Sequence, residues 1–113
     1  MTKEIDRSQA LSIGRIVHYT LSEHDAEAIN KRRKDAKNLN GAGVTLASQE
    51  LGAQIHVGNE VRAGEQYPAT IVRVFQSANS ANLRVWLDGN DDFWACSVSE
   101  GDGGRHWNWP PRV

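Results

Sequence analysis

Apolar and polar positions change period along this chain, and each change marks an element. Residues 12–19 (SIGRIVHY) are rich in β-branched and aromatic side chains. That predicts a first strand with Ile16 and His18 on one face and Val17 and Tyr19 on the other. Ser22 followed three residues later by Asp25 resembles a capping box with an acid in place of the usual Glu. Glu23, Asp25 and Glu27 then suit the positive end of a helix dipole, and Lys31, Arg32, Arg33 and Lys34 its negative end. A helix over 22–36 follows. Its apolar stripe is thin (Ala26, Ile29 and the stem of Arg33), so it needs a sheet or a partner subunit to hold it. Residues 1–10 are polar and aperiodic and predict a mobile arm. Residues 37–47 (KNLNGAGVTLA), with Gly41 and Gly43, predict a flexible loop of the kind that orders around a ligand.

From residue 50 the period changes to two. Residues 54–57 predict a short strand, 60–65 a turn-rich entry and 69–75 (ATIVRVF) a strong strand. A polar loop over 77–81 leads to a strand over 83–87. Asp88-Gly89-Asn90-Asp91 turns the chain into a strand over 93–98 (FWACSV), completing a hairpin. Gly101, Gly103 and Gly104 open a loose loop before the tail Trp107-Asn108-Trp109-Pro110-Pro111, whose prolines bar a central strand. With no internal repeat or linker, residues 1–113 form one domain. Its class is α+β: one helix in the N-terminal half and an antiparallel β module over 50–113 with a Trp-rich tail. Val61-x-x-Gly64-x-x-Tyr67-Pro68-Ala69 feeding a β-branched strand resembles small SH3-like barrels, which implies a strongly bent sheet.

Composition narrows the function classes. The net charge is −1, against the basic excess of a dedicated duplex-DNA binder. No apolar run approaches the roughly 20 residues of a membrane-spanning helix, and the first ten residues carry no apolar signal segment. The single cysteine, Cys96, cannot form an internal disulfide, which favours a reducing compartment. All four tryptophans lie after residue 85.

No catalytic or metal-ligating constellation is visible. His18, His24, His56 and His106 stand at no metal-ligand spacing, and Cys96 has no neighbouring cysteine. Cys96 lies mid-strand between Ala95 and Ser97 and reads as a small buried residue rather than a nucleophile. Asp88, Asp91 and Asp92 read as turn formers, since the twelve-residue calcium-loop pattern is absent. Neither a cofactor nor a metal is expected, and the chain reads as a non-enzyme.

Binding chemistry is better represented. Alternation sets Leu83, Val85 and Leu87 against Arg84, Trp86 and Asp88, and Thr70, Val72 and Val74 against Ile71, Arg73 and Phe75. With the aliphatic sets in the core, Arg73, Arg84 and Trp86 fall together on the second face. Phe93 and Ala95 alternate with Trp94 and Cys96, so one aromatic of that pair leaves the core. Arginines among rings suit a flat anionic ligand: rings stack on bases and guanidiniums take phosphate in two-pronged contacts. Arg33, on the Ile29 stripe, points toward the sheet, and Arg105, Trp107 and Trp109 could form a clamp. The candidate ligand-binding residues are therefore Arg33, Arg73, Arg84, Trp86, Trp94, Arg105, Trp107 and Trp109. The same tryptophans equally suit a core or a subunit interface.

The segments GRIVHYTLSEHDAEAINKRR, GNEVRAGEQYPATIVRVF, LRVWLDGNDDFWACSVSEG and HWNWP, over residues 13–113, resemble a family of small phage and prophage proteins. In size and element order the chain is similar to the Thoeris anti-defence proteins of the first kind. That resemblance implies an oligomeric sponge in the host bacterial cytoplasm. It would sequester a cyclic nucleotide immune signal, a glycocyclic ADP-ribose isomer or a cyclic oligonucleotide, without cleaving it. Its partners would be a small anionic nucleotide and further copies of the chain, at shared sites, with no duplex nucleic acid and no membrane. The alternative is an SH3-like protein–protein interaction module or an inhibitor of a host protein.

Overall fold

A computed structural model describes residues 10–39 and 58–111. Residues 1–9 of the arm expected over 1–10, residues 40–47 of the loop expected over 37–47, and the strand expected over 54–57 lie outside the described residues. The elements are β1 (Ile16–Thr20), α1 (Glu23–Leu39), β2 (Gln66–Phe75), β3 (Ser80–Trp86), β4 (Asp92–Ser99) and β5 (His106–Asn108). A single 3-10 turn, Gln76–Ala78, joins β2 to β3.

The five strands form one antiparallel sheet in the order β4-β3-β2-β1-β5, strongly curled into a half-barrel. The curl brings β5 back toward the end of β4. The Gly101 amide donates to the Trp107 carbonyl at 3.0 Å, beside an isolated parallel bridge between Glu100 and Trp107. The α+β class and bent sheet read from the sequence are those of the structure.

Several boundaries differ from the sequence reading. β1 starts at Ile16 rather than residue 12, because Ile13 and Gly14 form a turn in which Gly14 takes φ +94°. That angle is open to glycine and strained for other residues. The helix runs to Leu39, three residues past the expected end, so residues 37–39 are helical rather than loop. β2 begins at Gln66, since Tyr67 and Pro68 pair with Tyr19 and His18 of β1. The expected loop over 77–81 shrinks, because Asn79 turns the chain at φ 52° and Ser80 already pairs with Phe75.

The core fills the inside of the curl. Val17 and Tyr19 come from β1, Ala69 and Ile71 from β2, Ala81, Leu83 and Val85 from β3, and Ala95 and Val98 from β4. Leu21, Val61, Trp107 and the helix residues Ala26 and Ile29 complete it. Two bulges adjust the alternation. Between Ile71↔Leu83 and Arg73↔Asn82 an extra residue enters β2, so Ile71 and the half-buried Val74 both reach inward. Val72, placed by strict alternation with the core set, is 36% exposed. In β4, Ser97 takes φ 55° between Ala95 and Val98, and both flanking side chains stay buried. A bulge is the standard way to keep two such residues on one face.

The helix is fastened by polar contacts as much as by its thin apolar stripe. The Ser22 hydroxyl accepts from the Asp25 amide and the Asp25 carboxylate accepts from the Ser22 amide, both at 3.0 Å, closing the expected capping box. Asn30 exchanges two 2.9 Å hydrogen bonds with the Val61 backbone.

Candidate functional site

The outer face of β3 and β4 carries the densest set of exposed chemistry among the described residues. Register pairs Arg84 with Trp94 and Trp86 with Asp92. Because i and i+2 share a face, these four side chains stand at the corners of one rectangle. The two tryptophans occupy one diagonal, and Arg84 and Asp92 the other. Trp86 and Trp94 are 47% and 45% exposed, large values for rings of that size.

Each corner is held. The Trp86 Nε1 donates to Thr70 Oγ1 at 3.0 Å, which fixes the indole plane. The Arg84 guanidinium lies 5.2 Å from the centre of the Trp94 ring, within cation–π range. Arg84 Nη1 is 3.5 Å from each Asp92 oxygen, a long and weak pairing of two half-exposed groups. Ile16, level with Thr70 and Arg84, extends the patch across the sheet, and Val72 adds a second aliphatic group. Arg73 shares this face but turns to Phe75, its guanidinium 5.4 Å from the ring centre.

The other expected binding residues lie elsewhere. Arg33 is 5% exposed and bound into an ion cluster away from the Trp86–Trp94 face. Its Nε and Nη2 donate to the two Asp91 oxygens at 3.0 and 2.9 Å, and its Nη1 donates to the Asn59 carbonyl. Asp88 lies 3.4 Å away, and Arg32 adds a 2.8 Å bond to Asp91. The hydrogen-bonded Arg33 guanidinium holds the Asp91 carboxyl below its ordinary range, and Asp91 in turn raises Arg33. Gly58 is needed beneath this cluster. A Cβ there would strike the Asp88 carbonyl and lie 2.8 Å from Arg33 Nη2.

Of the two readings of Trp107, clamp and core, the structure has the core. Trp107 is 1% exposed, and its Nε1 donates to the Val98 carbonyl at 3.0 Å. The short strand β5 turns this side chain inward although its neighbours are polar. Trp109 is half-buried, edge-on to Trp107 at 5.3 Å, with the Arg15 guanidinium 4.8 Å from its ring centre. Arg105, at φ 64°, donates to the Cys96 carbonyl at 3.1 Å and braces the β4 bulge. Cys96 is exposed rather than buried, because Ala95 takes the inward position.

Two shallow clefts accompany the patch. One of about 270 Å³ lies between α1 and residues 58–60, lined by Asn30, Arg33, Lys34, Lys37, Gly58 and Glu60. The other, about 280 Å³, includes Leu11, Gln76, Asn79, Glu100 and the two tail tryptophans in its lining. Among the described residues, no group of three or more His, Cys, Asp or Glu side chains is placed to hold a metal ion. No helix among them is long and apolar enough to cross a membrane.

Alternation located Arg84 and Trp86 on one face and left Phe93 and Trp94 open; the structure adds Trp94 to the pair. Alternation missed Asp92, Thr70 and Ile16. Their place beside the arginine and the rings depends on inter-strand register, for which the local sequence carries no signal. No family model, curated protein or solved structure matches the chain.

Proposed function

We propose that the protein is a non-enzymatic binder of a flat, anionic nucleotide, held on the outer face around Trp86, Arg84 and Trp94. The observation that carries this reading is the exposure of two large rings on either side of a guanidinium. A base can stack on an indole face, a contact worth about 1–3 kcal/mol per base in single-strand binders. The guanidinium can exchange its weak Asp92 contact for a phosphate. In the reading the sequence resemblance suggests, the ligand is a cyclic nucleotide immune signal. The phage-encoded protein would sequester it intact in the host bacterial cytoplasm.

The test is release of bound ligand. Purified protein is incubated with extract from cells producing such signals, washed and heated. Intact nucleotide should appear in the supernatant, and Trp86→Ala or Arg84→Ala should abolish it. Recovery of none across several signal types contradicts the proposal.

A protein–protein module is the second reading, favoured by Ile16 and Val72, which extend the apolar area beyond what one base covers. Under that reading a host protein is retained from lysate through Trp86 and Trp94, with no nucleotide bound.

A further inference from the structure

We infer that the cleft at the Trp109 tail is a second binding site, which takes a small primary amine in its ammonium form. Its lining shares no residue with the outer-face rectangle, so the site stands apart from the nucleotide reading. The lining divides into an apolar floor and a polar rim. Leu11, Trp107 and Trp109 make the floor, and all three belong to the core or pack against it. Gln76, Asn79 and Glu100 make the rim. All three rim residues are exposed, and among the described residues none of their side chains has a hydrogen-bond or ion-pair partner. An apolar floor with a few convergent polar groups is the anatomy of a small-molecule site.

Charge selects the ligand. Among the described lining residues Glu100 alone is charged, whereas the cleft beside α1 carries Arg33, Lys34 and Lys37. An anion would meet the Glu100 carboxylate with no cation in the lining to offset it, while an ammonium gains a charge-assisted hydrogen bond. Donor count narrows the class further. A primary ammonium has three donors, and the rim offers three acceptors: the Glu100 carboxylate and the Gln76 and Asn79 carboxamide oxygens. The floor favours the same charge, since an indole face attracts cations. Trp109 already holds one, the Arg15 guanidinium 4.8 Å from its ring centre. Size sets the limit. At about 280 Å³ the cleft is smaller than the roughly 300–1,000 Å³ of drug-sized sites, so the amine carries one ring or a short apolar body.

The test is an NMR titration of the full chain with three probes of matched shape: phenethylamine as the ammonium, 2-phenylethanol as its neutral counterpart and phenylacetate as an anion. Phenethylamine should shift the Trp109 indole N–H and the Gln76 and Asn79 side-chain amide signals, and leave the Trp86 and Trp94 indoles in place. 2-Phenylethanol should bind about tenfold more weakly, because it forfeits the charge-assisted bond. Phenylacetate should not bind. Glu100→Gln keeps the side-chain shape and removes the charge, so it should weaken phenethylamine about tenfold. The amide spectrum of that variant reports its fold. If it does not fold, Gln76→Ala replaces it and should weaken phenethylamine through the lost acceptor. Equal binding of the three probes overturns the inference, since it would leave an apolar hollow without charge selection. So does the absence of any shift with phenethylamine, a shift centred on Trp86 and Trp94, or a folded variant that binds phenethylamine as well as the wild type.

Discussion

The Tyr19 hydroxyl donates to Asp25 Oδ2 across 2.5 Å, and both residues are buried. Through this bond β1 grips the first turn of α1, and the same carboxylate accepts from the Ser22 amide. One acidic side chain therefore caps the helix and anchors it to the sheet. Tyr19→Phe removes the donor and leaves a buried carboxylate with one partner fewer. The expected cost is about 1–3 kcal/mol, read as a lower urea midpoint with an unchanged slope.

Both tyrosines of the chain are held protonated. Burial, then the bond to Asp25, pushes Tyr19 far above its ordinary value. Burial and the Glu65 bond push Tyr67 up to about 12. A folded pKa above the unfolded one gives stability that is complete below pH ~10 and lost as pH rises toward the folded value. Ultraviolet difference absorbance should therefore show no tyrosinate through the ordinary tyrosine range while the fold persists. A normal tyrosine titration in folded protein contradicts the placement of both rings.

The Arg33–Asp91 pair contributes to acid sensitivity. Its hydrogen bonds depress the Asp91 pKa, so its contribution is complete above pH ~4. That contribution falls as pH drops through the lower folded value. Asp91→Asn should cost about 3 kcal/mol at neutral pH, since it leaves Arg33 buried without its main carboxylate. The variant's stability should also depend less on pH below 4. Denaturant melts at neutral and acid pH test both.

The tryptophans divide by role. Trp107→Ala should cost about 3–5 kcal/mol, because it empties a core position and strands the Val98 carbonyl. Trp86→Ala should cost no more than about 1 kcal/mol, the worth of a half-exposed cross-strand contact and its hydrogen bond to Thr70. Comparable losses from both would place Trp86 in the core.

Exposed Cys96 gives a direct check on the β4 bulge. A thiol reagent should titrate one cysteine per chain at once in native protein, without denaturant. Protection until unfolding would mean that Cys96, not Ala95, faces inward.

Short-range signals were legible. Ser22 and Asp25 closed the expected box, and alternation put Arg84 and Trp86 on the outer face but left open which of Phe93 and Trp94 leaves the core. Period-two reasoning failed at Val72 and Ser97, because a strand with a bulge has no single parity and nothing local announces one. Polar neighbours leave Trp107 open between clamp and core, and pairing with Tyr19 fixes it in the core. Arg33 was rightly aimed at the sheet. Its acidic partners lie more than fifty residues away in a turn, beyond any local pattern.

The central claim, ligand binding on the outer face, is tested most directly by a native mass spectrum. Protein exposed to signal-containing extract would be compared with its Trp86→Ala variant. The account predicts added nucleotide mass on the wild type, removed by collisional heating, and the bare chain mass for the variant. A bare wild type, or equal ligand mass on both, would contradict it.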